Sequence, residues 1–153
     1  DDDTSAWAAL SPRIVTVTKG WSEAYGLFLE GEAPMVLSYT TSPAYHRHVE
    51  KTDQYRVAMF EEGHYRQVEV AARLTQSTQP ELAKEFLQFL LSDEVQSILP
   101  TSNWMLPAVH TDQALPEAFH DNELPGKSLS FAPTEVSVER KRWIKRWLTT
   151  LAR

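Results

Sequence analysis

The chain contains no cysteine, which excludes a disulfide framework and any thiolate metal centre while leaving the redox compartment open. Glycine is scarce too. The five present form neither G-x-G-x-x-G nor a P-loop, so the usual backbone cradle for a nucleotide phosphate is missing. There is no G-x-S-x-G elbow, and no serine sits among glycines in a tight turn, so nothing marks an activated serine nucleophile. No apolar run approaches the roughly 20 residues needed to span a bilayer. Basic residues are outnumbered, 15 against 21 acidic, for a net charge of −6. That balance argues against nucleic acid as the main partner, because phosphate binding needs a basic surface. A cationic or neutral ligand suits it better. The first residues, DDDTS, are not a signal peptide. Such a beginning fits a cytosolic, a processed or a truncated chain equally well.

What is present begins with ordinary core material: 42% of the 153 residues are apolar, enough for one compact domain or a large part of something bigger. Charge is uneven. Asp1, Asp2 and Asp3 open the chain, while Arg140, Lys141, Arg142, Lys145, Arg146 and Arg153 gather at its end. The basic cluster reads as a solvated helix face, where cations also favour the C-terminal dipole; a docking patch for an acidic partner is the sharper alternative.

Hydrophobic periodicity divides the chain into elements. RIVTV (13–17), MVLSY (35–39), RVAMF (56–60) and RQVEVAARL (66–74) read as strands. WSEAYGLFLE has helical spacing and is closed by Gly31. Residues 77–92 start a helix with Pro80 in its first turn, and Ser92 is placed to cap a second helix over 93–100. Residues 100–133 hold five of the nine prolines and read as irregular. A long final helix follows, capped near Thr134, with Val136, Trp143, Ile144, Trp147, Leu148 and Leu151 on one face. DTSAWAAL resembles the tail of a helix with nothing before it. Strands alternating with helices indicate an α/β protein.

Few residues carry an obvious chemistry. His46, His48 and Glu50 in HRHVE would share one side of an extended segment, a metal-ligand arrangement, but the segment is polar and has no further ligand at a recognised spacing. Solvent-facing histidines after a turn are the simpler reading, and no metal is expected. Glu61 and Glu62 are adjacent, so in a strand they face opposite ways. No catalytic residue is assigned. Aromatic side chains remain. Trp21 opens a helix after a glycine turn, Tyr39 and Tyr45 bracket a turn containing Pro43, and Trp104 lies in the irregular TSNWMLP. Strand exits and helix starts are where α/β clefts form. Aromatic faces there attract flat rings and cations, by about 0.5–2 kcal/mol for each well-placed ring.

Three stretches carry a resemblance: VTVTKGWSEAYGLFLEGEAPMVLSYTTSPAYH, EGHYRQVEVAAR and QPELAKEFLQFLLSDEVQSILPTSNWMLP. They resemble the periplasmic thiamine-binding proteins of bacterial ABC importers, within the extracytoplasmic solute-binding proteins. Within the last stretch, AKEFLQFLLSDEVQ alone is a general signature of the wider group, and the run from Lys19 to Tyr45 is more specific. The resemblance covers residues 7–153 and corresponds to the second half of such a protein. It implies a periplasmic-binding-protein-like (type II) two-lobe α/β fold, incomplete at its N-terminal side. Residues 1–65 would be the later part of one lobe, 66–74 a hinge-crossing strand, and 75–153 the C-terminal part of the other lobe. By the same resemblance Trp21, Tyr39, Tyr45 and Trp104 stack on the ligand, with Trp104 on the wall opposite the other three. Lys19, Ser22 and Thr41 are implied polar or phosphate contacts.

The implied function is capture of thiamine, or of its phosphate esters, as a transported ligand and not as a cofactor. The implied partners are the importer's membrane permease and the N-terminal half of the same protein, and the implied location is the periplasm. Alternatives on the same fold are a carrier of ferric ion or another small solute, and a thiaminase-like enzyme whose nucleophile would lie outside this segment.

Overall fold

The computed structural model describes residues 3–120 and 124–151. Of the charged termini, Asp1, Asp2 and Arg153 lie outside the described residues. Among the described residues there are six α-helices: α1 (Asp3–Leu10), α2 (Trp21–Leu29), α3 (Ser42–Tyr45), α4 (Pro80–Leu90), α5 (Asp93–Ser102) and α6 (Pro133–Leu151). Between them lie 3-10 turns at Ser11–Arg13 and Glu117–Phe119, a π-helical turn at His46–Glu50, and two short strands, β1 (His64–Tyr65) and β2 (Ser128–Leu129).

Helix α2 is closed by local signals at both ends, whereas Ser92, at the N-cap of α5, makes no side-chain capping hydrogen bond. At the start of α2 the Lys19 amide donates to Glu23 Oε2 at 3.2 Å, a side chain reaching back one turn. Its end is a Schellman closure: Gly31 N–H donates to the Phe28 carbonyl (3.1 Å) and Glu32 N–H to the Leu27 carbonyl (3.0 Å). Gly31 has φ +82°, the left-handed conformation such a closure requires. Helix α5 runs two residues beyond the expected 93–100 and takes in Pro100, whose side chain is fully buried. Helix α6 begins at Pro133, with Val136 N–H donating to the Ala132 carbonyl, so the proline and not Thr134 marks its entry.

The four expected strands are not formed. Residues 14–17, 35–39, 56–60 and 67–74 have no ladder partner among the described residues, Arg66 only extends the β1 pairing by donating its amide to the Leu129 carbonyl (2.9 Å), and Arg13 instead ends a 3-10 turn. A strand exists only through hydrogen bonds to a neighbour, and alternation alone does not supply one. The apolar faces that motivated the expectation are uncovered: Leu37 is 92% exposed, Val70 85% and Leu74 75%. Among the described residues pairing is confined to β1 and β2, which run parallel with His64 opposite Ser128 and Tyr65 opposite Leu129. Gly63 enters β1 at φ +109°, and a Cβ there would stand 2.8 Å from the Lys127 carbonyl oxygen.

The described residues form two compact units, one within Asp1–Ser38 and Ser130–Arg153, the other within Tyr39–Leu129. These boundaries do not coincide with the lobe division 1–65, 66–74 and 75–153. In the first unit α1 packs on α6, and Arg146 donates to the Asp3 carboxylate. Arg142 pairs with Glu139, so part of the basic cluster is engaged within the chain. A groove of about 700 Å³ between these helices and residues 14–18 is lined by Ala8, Ile14, Val17, Trp147, Leu148 and Leu151. In the second unit, α3, the π-turn and the Glu117–Phe119 turn pack around Pro43, Ala44, His46 and Phe119, all buried. Helix α4 packs on α5 but leaves Leu82, Phe86 and Phe89 more than half exposed. Among the described residues the buried apolar side chains are few, Ala44 and Phe119 with the prolines Pro43 and Pro100. The elements are therefore well formed while much apolar surface stays open.

Candidate functional site

The stretch SPAY forms a single helical turn, α3. Proline 43 sits in its first turn, where the missing N–H does no harm. Ahead of it Tyr39 and Ser42 exchange two hydrogen bonds. The Ser42 amide donates to the Tyr39 carbonyl (3.0 Å), and the Tyr39 amide donates to Ser42 Oγ (3.3 Å). This closed turn fixes the backbone between the two tyrosines. Tyr39 is 43% exposed and Tyr45 36%. Thr41 between them is only 7% exposed, so its side chain belongs to the interior of the turn.

Trp104 follows α5, one residue past the capping Asn103, and adopts φ +56°. A left-handed C′ residue is ordinarily glycine, and a tryptophan there costs roughly 1–3 kcal/mol of backbone strain. The surrounding contacts hold it. Asn103 Nδ2 donates to Glu69 Oε2 at 3.1 Å. On the far side of the loop Gln96, buried on α5, accepts the Ala108 amide at Oε1 (2.7 Å) and donates from Nε2 to the Leu90 carbonyl (2.7 Å). The Trp104 ring lies parallel to Phe119 (6.5 Å between centroids, 3° between planes) and near His48 (6.0 Å). It meets Tyr45 edge to face, at 5.1 Å and 90°.

Tyr45 and Trp104 thus form a right-angled aromatic corner. Such a corner offers one ring face and one ring edge to a flat ligand, and a cation over either face gains the ring quadrupole. Resemblance placed Trp104 on a wall opposite Tyr45. Here the two rings touch within one compact unit, because α5 packs its C-terminal loop against the α3 region.

The other residues lie in the first unit. Trp21 opens α2 and is 49% exposed; its Nε1 donates to Ser38 Oγ at 3.1 Å and its ring tilts against Tyr25 at 4.8 Å. Lys19 and Ser22 flank it on the exposed side. The structure therefore groups Lys19, Trp21 and Ser22 in one unit, and Tyr39, Thr41, Tyr45 and Trp104 in the other.

HRHVE is not extended. As a π-turn it sends His46 inward and His48 toward Trp104, so the one-sided ligand arrangement is not formed. No group of three His, Asp or Glu among the described residues is arranged to hold a metal ion. His46 is fully buried, its Nδ1 2.6 Å from Glu50 Oε2 and its ring against Tyr55 (3.9 Å) and Tyr45 (5.3 Å). Sequence reasoning missed His46, Gln96 and Phe119 as supports of the corner. Only Gln96 left a trace, as a polar residue in the otherwise apolar stripe of a short helix.

Residues 2–97 match the family described as bacterial extracellular solute-binding protein. Over its whole length the chain is 54% identical to a thiamine-binding periplasmic protein of Escherichia coli and 50% identical to one of Brucella abortus. It is 42% identical to one of Haemophilus influenzae. In each case it covers 46% of the relative, so the chain spans about half the length of the curated relatives it matches. A solved periplasmic thiamin binding protein superposes with a TM-score of 0.92 at 54% identity, covering all of this chain and 48% of that one. The fold is accordingly a partial periplasmic-binding-protein fold of the α/β class.

Proposed function

Because the chain belongs to the bacterial extracellular solute-binding protein family, we propose that it supplies one half of a periplasmic subunit that captures thiamine for an ABC importer. The other half is the further length its relatives carry, and the two together are called the completed protein below. The aromatic corner of Tyr45 and Trp104 is the observation that carries this reading. Thiamine joins a permanently charged thiazolium to a flat aminopyrimidine, and aromatic faces attract the first and stack on the second without any catalytic group. Maintaining a tryptophan in a left-handed position is the kind of strain that functional sites keep.

In this proposal Trp21, Tyr39, Tyr45 and Trp104 supply the rings. Lys19 and Ser22 supply polar contacts from the exposed start of α2, and Thr41 acts from within the turn. Residues 1–65 and 75–153 contribute to two lobes, with 66–74 crossing between them; the uncovered Val68 and Val70 of that segment support a strand that pairs in the completed protein. The open apolar surface of this and the other unpaired segments fits burial against the other half of the protein. A ligand seated on this corner that gains further contacts as the lobes close favours the closed form, and that form is what the permease reads.

The test is a thiamine titration of the completed protein, followed by tryptophan fluorescence and calorimetry. Quenching with saturable binding is expected, and Trp21→Ala and Tyr45→Ala should each weaken it by about 0.5–2 kcal/mol, up to some thirtyfold in Kd. Unchanged affinity in both variants would show that the rings do not hold the ligand.

A further inference from the structure

His46 stands beside Tyr45 in sequence, but the two side chains have opposite fates. Tyr45 is 36% exposed and edges the aromatic corner, whereas His46 is 0% exposed behind it. A buried imidazole must have its polar atoms satisfied. Here Nδ1 lies 2.6 Å from Glu50 Oε2, and the ring packs on the Tyr55 ring at 3.9 Å and stands at 80° to the Tyr45 ring at 5.3 Å. The backbone is shaped for this contact. The His46–Glu50 segment is a π-turn, a form that often marks functional positions. It ends on Lys51 at φ +57°, a left-handed residue without the freedom of glycine, while the Thr52 amide donates to the His46 carbonyl at 3.2 Å. His46 is therefore held at its ring nitrogen, its ring face and its carbonyl, and Tyr45 rides on the same turn.

We propose that His46, oriented by Glu50, is the positioning residue that sets the Tyr45 ring perpendicular to Trp104 and so fixes the corner for a flat cationic ligand. This rests on the reading that the corner receives such a ligand. His46 does not touch the ligand. It acts through Tyr45, by removing the rotational and translational freedom the tyrosine turn would otherwise have. A corner assembled before binding loses less entropy when the ligand enters.

A double-mutant cycle in the completed protein tests this, with Tyr45→Ala and His46→Leu singly and together, read by thiamine titration. Leucine preserves apolar volume and removes the hydrogen bond. The expected result is a loss of about tenfold in affinity for His46→Leu alone, and almost no further loss when it is added to Tyr45→Ala. His46→Asn, which presents a donor near the Nδ1 position, should recover most of the affinity, and Glu50→Gln, which keeps an acceptor, should behave likewise. These two variants also carry the test if His46→Leu fails to fold. Additive losses in the cycle, or an asparagine variant as weak as the leucine one, would overturn the proposal.

The same four proteins are compared by near-UV circular dichroism without ligand. His46→Leu should change the aromatic signal in the wild-type background and leave it nearly unchanged in the Tyr45→Ala background. If thiamine does not bind the wild-type protein but this spectral coupling is present, the choice of ligand is wrong and the positioning role stands. If thiamine binds and neither cycle shows coupling, the positioning role is wrong and the ligand stands.

Discussion

Replacing Gln96 by leucine isolates the device that holds the Trp104 loop. The side chain is 5% exposed and joins two backbone groups, the Leu90 carbonyl at 2.7 Å and the Ala108 amide at 2.7 Å. Leucine nearly conserves volume but satisfies neither. Each orphaned backbone group costs about 1–3 kcal/mol, so the variant should lose about 2–6 kcal/mol if neither group finds water. The Ala108 side of that loss is local. Hydrogen exchange at the Ala108 amide should accelerate by about 5- to 150-fold, the equivalent of 1–3 kcal/mol in the opening equilibrium. Gln96→Glu separates the two bonds. A carboxylate still accepts from Ala108, but it meets the Leu90 carbonyl oxygen without a proton between them. Only the protonated form restores that bond, so the folded-state pKa of the new carboxyl is raised. The variant should therefore gain stability as pH falls through that raised value, opposite to the usual carboxylate behaviour. Equal exchange at Ala108 in wild type and Gln96→Leu, or a glutamate variant no better in acid, would refute this account of the loop.

Gly63→Ala should destabilise the β1–β2 pairing by about 1–3 kcal/mol, because the backbone is left-handed and the new Cβ would stand 2.8 Å from the Lys127 carbonyl oxygen; urea unfolding measures it. Glu94, in the first turn of α5, has its carboxyl held below the ordinary 4.5, mainly by a backbone N–H. Its support of α5 is thus fully present above 4.5 and fades as pH falls through the lower folded value, which a carbon-detected carboxyl titration against Glu94→Gln would follow. The chain by itself, with Leu37, Val70 and Leu74 uncovered, should bind a hydrophobic dye strongly and thiamine weakly, and the completed protein should reverse both. Equal thiamine affinity of the two forms in calorimetry would contradict that expectation.

The helices were legible because their signals are local. Apolar spacing placed α2, α4 and α6, proline and acidic first turns marked the starts of α4 and α5, and Gly31 closed α2. RIVTV and RQVEVAARL are unpaired here for the opposite reason. Alternation reports a face that wants burial, while a strand also requires a neighbouring backbone, which local sequence does not supply. At the site, Tyr45 and the half-buried Trp104 were visible as aromatics in a turn and an irregular loop, where a core has little use for them. Their contact was not, since it depends on α5 turning its C-terminal loop toward α3. The π-turn was hidden too. HRHVE has no composition that separates a π-turn from a polar loop, and the burial of His46 comes from Tyr55 and Glu50 surrounding it.

The left-handed tryptophan has a consequence for engineering. Glycine or asparagine at position 104 would relieve the backbone while removing the ring, so a screen for heat resistance alone would favour those replacements. Each thermostable winner at this position would be a poorer candidate for the task proposed here. Position 104 is thus where stability and recognition compete most directly in this chain, and a library meant to harden the protein should leave it fixed.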